Sequence, residues 1–162
     1  MDDLAFAVRD PKAFAAALED KYNFKLKGTG PLSFHLGADF TRDEDGVLCM
    51  KATKCISERL SKSYKKLFGE KPKQNVMSPL EPGDHPEMDT SELLDADGIH
   101  QYQSLIGSLQ WIWSLGRYDM GCAVMSMSSH RVAPRRGHLE RIKRICGYLL
   151  KMQHFGIRFR AH

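Results

Sequence analysis

His100-Gln101-Tyr102-Gln103-Ser104-Leu105-Ile106-Gly107-Ser108-Leu109-Gln110-Trp111-Ile112 is the stretch on which the fold turns. Leu105, Ile106, Leu109 and Ile112 recur at three- and four-residue spacings, so they share one apolar helical face. Gln103, Gly107 and Trp111 stand four apart and stack along a second face. An amide, a bare backbone and a flat aromatic suit close approach to a sugar–phosphate surface, because glycine lets the helix backbone come near a ligand. The plainer alternative is core packing, with Trp111 at the edge of the buried face. A helix is expected over residues 100–115.

Toward the C-terminus the pattern stays helical. A second helix is expected over residues 119–129 and a third over 134–153, with Leu139, Ile142, Cys146 and Leu149 facing inward. Residues 155–160 read as the first strand of a further unit. Toward the N-terminus, residues 72–98 hold four of the seven prolines and seven of the twenty acids. That composition predicts an extended connector with one short turn near residues 91–94. Before it, Ile56, Leu60, Tyr64 and Leu67 mark an amphipathic helix with Lys and Arg outward, stopped by Gly69 and Pro72. Phe34, Leu36, Ala38 and Phe40 alternate, and a turn closed by Gly46 leads to residues 47–50, which together read as a β-hairpin. Asp10-Pro11 starts a helix with Phe14, Leu18 and Tyr22 on one face, ended by Gly28, Gly30 and Pro31. Residues 4–8 read as a short strand.

The 162 residues are 42% hydrophobic and 27% charged, near the globular average. A chain of this size can bury a core without a disulfide or metal. It contains no run of eighteen apolar residues and its start is acidic, so a soluble chain without membrane helix or secretory peptide is expected. Cys49, Cys55, Cys122 and Cys146 form no C-x-x-C pair, which favours buried reduced thiols in an intracellular protein over zinc. Net charge is +4, but unevenly spread: residues 51–73 carry eight Lys/Arg against two acids, residues 131–162 nine against one, and residues 81–100 seven acids with no Lys or Arg. Two basic blocks around an acidic loop fit a nucleic-acid binder, or equally two solvated helix faces and a polar loop.

Asp2 and Asp3 are adjacent carboxylates ahead of an apolar run. On a tight turn such a pair can hold divalent metal through hard oxygen ligands; the alternative is a solvated terminus.

Met1-Asp2-Asp3-Leu4 resembles the catalytic turn of reverse transcriptases. Phe24-Lys25-Leu26-Lys27-Gly28-Thr29-Gly30-Pro31-Leu32 and Phe34-His35-Leu36-Gly37 resemble the copia-type retrotransposon pattern. Tyr102 to Leu109 resembles that family's Y-R-S-L-V-G-S-L, and Arg117-Tyr118-Asp119-Met120-Gly121-Cys122-Ala123-Val124 its R-P-D-I-A-Y-A-V. Pro134, His138, Lys143-Arg144 and Tyr148-Leu149 fit its closing helix. Five short blocks thus fall in order across essentially the whole chain. Departures are Gly28-Thr29 for Asp-Leu, His35 for an aromatic, Tyr118 for Pro, and Gly147 where Arg is common.

The resemblance implies an α+β fold: a partial polymerase palm with a primer-grip-like hairpin, then a helical thumb-like subdomain. The implied division is 1–50 palm, 51–71 basic helix, 72–98 connector, 99–154 three-helix thumb and 155–162 the start of a connection to RNase H. It implies that Asp2 and Asp3 bind Mg²⁺, and that Leu36 and Gly37 grip the primer end. Gln103, Gly107 and Trp111 are then expected in the minor groove of an RNA–DNA or DNA primer–template duplex. Lys25 and Lys27 occupy places where polymerases set a general acid. Phosphate contacts are expected from Lys62, Lys65 and Lys66, with Lys51, Lys54 and Arg59, and from Arg135 and Arg136, with Arg141, Lys143 and Arg144. Arg117 and Asp119 are expected to pair with each other or to cap a helix. The family's upstream palm and fingers lie before Met1, so this chain alone is expected to be inactive; the rival expectation is a non-catalytic nucleic-acid-binding module derived from a retroelement. The implied location is intracellular, in a cytoplasmic virus-like particle or the nucleus.

Overall fold

The computed structural model describes residues 5–26 and 30–160. Helix α1 spans Pro11–Tyr22. Asp10 Oδ1 accepts from the backbone N–H of Lys12 and Ala13, both at 3.0 Å, and so satisfies two of the orphan donors of its first turn. Phe14 packs on Phe6, with ring centroids 4.6 Å apart, but α1 buries none of its residues. Residues 5–8 form no strand, contrary to the expectation for residues 4–8. A strand needs a partner ladder, and among the described residues none pairs with this segment.

The expected hairpin is present with one strand more. β1 is Phe34–His35 and β2 is Ala38–Arg42; they pair antiparallel as Phe34↔Asp39 and His35↔Ala38. The intervening Leu36-Gly37 has φ of 49° and 91°. Positive φ at both central residues is the signature of a type I′ turn, so the single strand expected through residues 34–40 folds back on itself. β3, Leu48–Lys51, pairs with β2, and β4, Gly156–Phe159, pairs with β3 from Leu48↔Phe159 to Lys51↔Gly156. The strand expected near residues 155–160 therefore completes this four-stranded antiparallel sheet, in the order β1-β2-β3-β4.

After β3 the chain enters a π-helical stretch, Cys55–Leu60, that runs into α2, Ser61–Phe68; together they form the basic helix. Asp39 on β2 accepts from Lys54 N–H at 2.8 Å and ties the helix start to the sheet. Helix α3 spans Ala96–Ser114 and begins earlier than expected, because Asp95 Oδ1 caps Gly98 N–H at 2.8 Å. α4 is Gly121–Ser128 and α5 is Arg136–Lys151. The core forms where these three helices meet the basic helix. Leu105, Ile106, Leu109 and Ile112 of α3 are buried with Ile56, Leu60 and Tyr64, and with Ile142, Ile145, Cys146 and Leu149 of α5. Tyr102, also buried, donates its hydroxyl to the Met127 carbonyl at 2.7 Å, which satisfies the buried phenol. Arg117 and Asp119 do pair, at 2.9 and 2.7 Å, and Tyr148 donates to the same carboxylate at 2.8 Å. Burial pushes the Asp119 carboxyl up, but the Arg117 and Tyr148 hydrogen bonds outweigh it and hold its pKa below the usual value. Cys49, Cys55 and Cys146 are buried free thiols; Cys122, expected to be buried, is exposed on α4.

The connector is extended, with its one turn of 3₁₀ helix at Pro86–Met88 rather than near residues 91–94. It lies along α5 so closely that a Cβ at Gly147 would stand 2.0 Å from the Lys73 carbonyl oxygen. Gly147 is thus required by the connector's path, which explains why a larger residue is missing there. His138, buried on α5, accepts from Arg135 N–H through Nδ1 at 3.1 Å and reaches the Pro86 carbonyl through Nε2 at 2.9 Å. A carbonyl only accepts, so the proton sits on Nε2 and the ring pins connector to helix.

Candidate nucleic-acid interface

The two basic blocks have opposite fates. On α5, Arg141 donates to both oxygens of Asp84, with Nε–Oδ2 at 2.8 Å and a terminal nitrogen to Oδ1 at 2.7 Å, and it also reaches Asp89. Arg144 pairs with Glu81 and Ser78, Arg136 with Glu92 at 3.2 Å, and Lys143 with Glu140 at 2.7 Å. Arg135 donates to the Ser91 carbonyl. Connector acids therefore pair with Arg136, Arg141 and Arg144, while Arg135 meets a connector carbonyl.

The basic helix is different. Arg59, Lys62, Lys65 and Lys66 are exposed, and none is paired with an acid among the described residues. Glu58 is the helix's one acid. Unpaired exposed cations on one helix make the local potential positive, whereas paired ones largely cancel.

Beside this helix runs the predicted face of α3. Gln103, Gly107 and Trp111 are all exposed, and Trp111 keeps 48% of its surface in solvent. Gln103 donates to the Arg131 carbonyl at 3.1 Å, which fixes its amide beside the loop after α4. A Cβ on Gly107 would meet nothing within 4 Å. The hairpin tip closes one end: the point where a Cβ of Gly37 would stand lies 3.3 Å from Trp111 Nε1 and 3.5 Å from Leu115 Cδ1. Only a bare backbone approaches the indole edge this closely without displacing it. Leu36, next to it, is exposed at the tip.

Between the basic helix and α3 lies a cleft of about 360 Å³. Arg59 and Ser63 line one wall, Ser104, Gly107, Ser108 and Trp111 the other, with Cys55, Leu60 and Ile112 between them. The structure thus gathers Gly107 and Trp111, places Leu36 and Gly37 at their end, and sets the basic helix opposite. Ser63, Ser104 and Ser108 were not singled out from the sequence. Their signal was present, since Arg59 and Ser63, and Ser104 and Ser108, are four apart on facing helices. Lys25 is not among the cleft residues; it pairs with Glu19 at 3.7 Å beside α1. Asp2, Asp3 and Lys27 lie outside the described residues. Mg²⁺ takes hard oxygen ligands, and among the described residues no group of three or more His, Cys, Asp or Glu gathers to hold a metal. No step through a metal follows from the described residues. No described helix is long and apolar enough to cross a membrane.

Fold and site together define an α+β protein whose helical half presents a cleft with a cationic wall. The chain is 25% identical over 162 residues to a Saccharomyces cerevisiae protein whose name assigns it to transposon Ty5-1, covering 99% of this chain and 50% of that relative. It therefore spans half the length of the relative. No family model and no solved structure matches it.

Proposed function

We propose that this chain is the C-terminal palm and thumb portion of a copia-type reverse transcriptase and that it binds a primer–template duplex, RNA–DNA or DNA. The observation that carries the reading is the open face of Gly107 and Trp111, set between the unpaired cations of the basic helix and the Leu36-Gly37 hairpin tip, with Gln103 exposed one turn before it. Likeness to a yeast transposon protein along nearly the whole chain supports it. In the intact polymerase Asp2 and Asp3 would hold Mg²⁺, which would supply positive charge for phosphoryl transfer. The duplex lies across the face of α3, its phosphates against the basic helix and its primer end at the hairpin. The partners are the duplex, the upstream palm and fingers, and a following RNase H domain, inside the cell in a virus-like particle or the nucleus.

The isolated chain binds duplex without extending it. Fluorescence anisotropy with a labelled RNA–DNA hybrid should give an affinity that falls steeply with salt, by about 0.7–0.9 log units per phosphate neutralised per decade. Gly107→Arg and the combined replacement of Lys62, Lys65 and Lys66 by Gln should each weaken it at least tenfold. Unchanged affinity in both variants would sink the reading, and primer extension by this chain with Mg²⁺ would overturn the inactivity. A second reading is a nucleic-acid-binding module with no polymerase step, which the exposed Gly107 and Trp111 beside the unpaired cations of the basic helix would serve equally.

A further inference from the structure

We infer that the cleft between the basic helix and α3 holds a phosphodiester of one nucleic-acid strand, with Arg59 supplying the charge and Ser63, Ser104 and Ser108 the hydroxyl contacts. The inference rests on duplex binding as proposed above. It adds the residues that seat the backbone and the depth at which it sits.

Gly107 carries the first part of the argument. A glycine inside a helix weakens it relative to alanine, through backbone entropy. The usual compensation is a neighbour that a methyl group would strike. Gly147 has one, in the Lys73 carbonyl 2.0 Å from its missing Cβ. Gly107 lies well inside the 19-residue α3, and a Cβ there would meet nothing within 4 Å beyond its own helix backbone among the described residues. The chain thus keeps a helix-weakening residue where its own atoms leave open space, and that space opens into the cleft. Trp111 points the same way: an indole left 48% exposed, its edge set against Gly37, forms a flat wall of the cleft.

Charge then selects the ligand. Among the described residues Arg59 is the one charged side chain that lines the cleft, and no carboxylate does; Glu58, its neighbour in sequence, is not part of the lining. Lys62 and Lys66, three and seven residues on, continue the same side of the helix. Among the described residues the hydroxyls of Ser63 and Ser104 have no hydrogen-bond partner, and Ser108 donates only to the Ser104 carbonyl at 3.1 Å, leaving its oxygen free to accept. A guanidinium with adjacent hydroxyls and a bare backbone is a complementary set for a phosphate followed by its sugar. An acidic peptide would match the charge but gain nothing from the missing Cβ beside a flat indole.

The test uses the 162-residue chain with a fluorescein-labelled RNA–DNA hybrid, titrated over about a decade of KCl. Arg59→Gln should lower affinity several-fold and reduce the log–log salt slope by about 0.7–0.9, the loss of one phosphate contact, while Arg59→Lys keeps the slope. Gly107→Ala should raise the thermal midpoint and weaken binding, a combination that a merely structural glycine would not give. If Gly107→Arg abolishes binding but Arg59→Gln leaves both affinity and slope unchanged, the cleft assignment falls while duplex binding stands. If no variant alters binding, both fall. Displacement of the hybrid by polyglutamate with equal dependence on Arg59 would overturn the nucleic-acid assignment in favour of an acidic protein segment.

Discussion

Leu36 is the residue whose backbone suits its side chain least. Its φ of 49° puts a branched apolar residue in the left-handed region, which glycine and asparagine occupy far more easily. Strain of this kind amounts to about 1–3 kcal/mol and persists when the surroundings fix it or when function uses it. The surroundings give little back, because the side chain is 54% exposed. Asn followed by Gly is the favoured pair for a type I′ turn, so Leu36→Asn should stabilise the fold by about 1 kcal/mol, read as a higher urea midpoint. If the hairpin tip meets the primer, duplex affinity should fall in the same variant. A lower midpoint would mean that Leu36 packs more tightly than its exposure indicates. The sequence could not reveal this turn. Alternation of Phe34, Leu36, Ala38 and Phe40 is the pattern of one continuous strand, and nothing local marks a leucine that takes positive φ.

At the scale of elements, the pairing that most shapes the surface joins the connector to α5. Arg141 sits between Asp84 and Asp89, with side chains 20%, 14% and 9% exposed. The Arg141 hydrogen bond holds Asp84 below the usual carboxylate range, and hydrogen bonds from Ser91 and then Arg141 hold Asp89 at about 2. Both folded-state values are depressed, so their stabilisation is complete above the ordinary value of 3.8 and is lost as pH falls from there toward about 2. Arg141→Leu leaves two carboxylates partly buried without their cation and should lower stability at neutral pH by about 3 kcal/mol. The gap between wild type and variant should then close as pH drops through that window, in urea unfolding followed at several pH values. A gap that stays constant down to about pH 2 would show that Arg141 acts by packing alone. The helices themselves were legible, since spacing fixes a helical face within a few turns. The clamp was not: its partners lie more than fifty residues apart, and charge complementarity carries no register. Distance also hid the pairing of β4 with β3, whose partners Cys49 and Arg158 lie 109 residues apart.

For the molecule as a whole, the question is which cations remain available to a polyanion. The sequence showed two basic blocks and an acidic loop, but a net charge of +4 does not say which block the loop neutralises. The fold answers by laying the connector on α5 and leaving the basic helix beside the cleft. Binding should therefore be polarised, and the two blocks should respond differently to the same kind of substitution. Arg135→Gln with Arg136→Gln removes two formal charges, yet Arg135 is held by the Ser91 carbonyl and Arg136 by Glu92. On this reading neither change removes a phosphate contact, so the double variant should keep its affinity for an RNA–DNA hybrid within about twofold and leave the salt slope intact, since the slope counts only phosphates actually neutralised. Long-range attraction will weaken slightly at low salt and vanish above about 0.1–0.15 M, where the Debye length is 8–10 Å. A slope reduced by one unit or more in this variant would mean that the connector yields its arginines to nucleic acid, and that both faces, rather than one, meet the duplex.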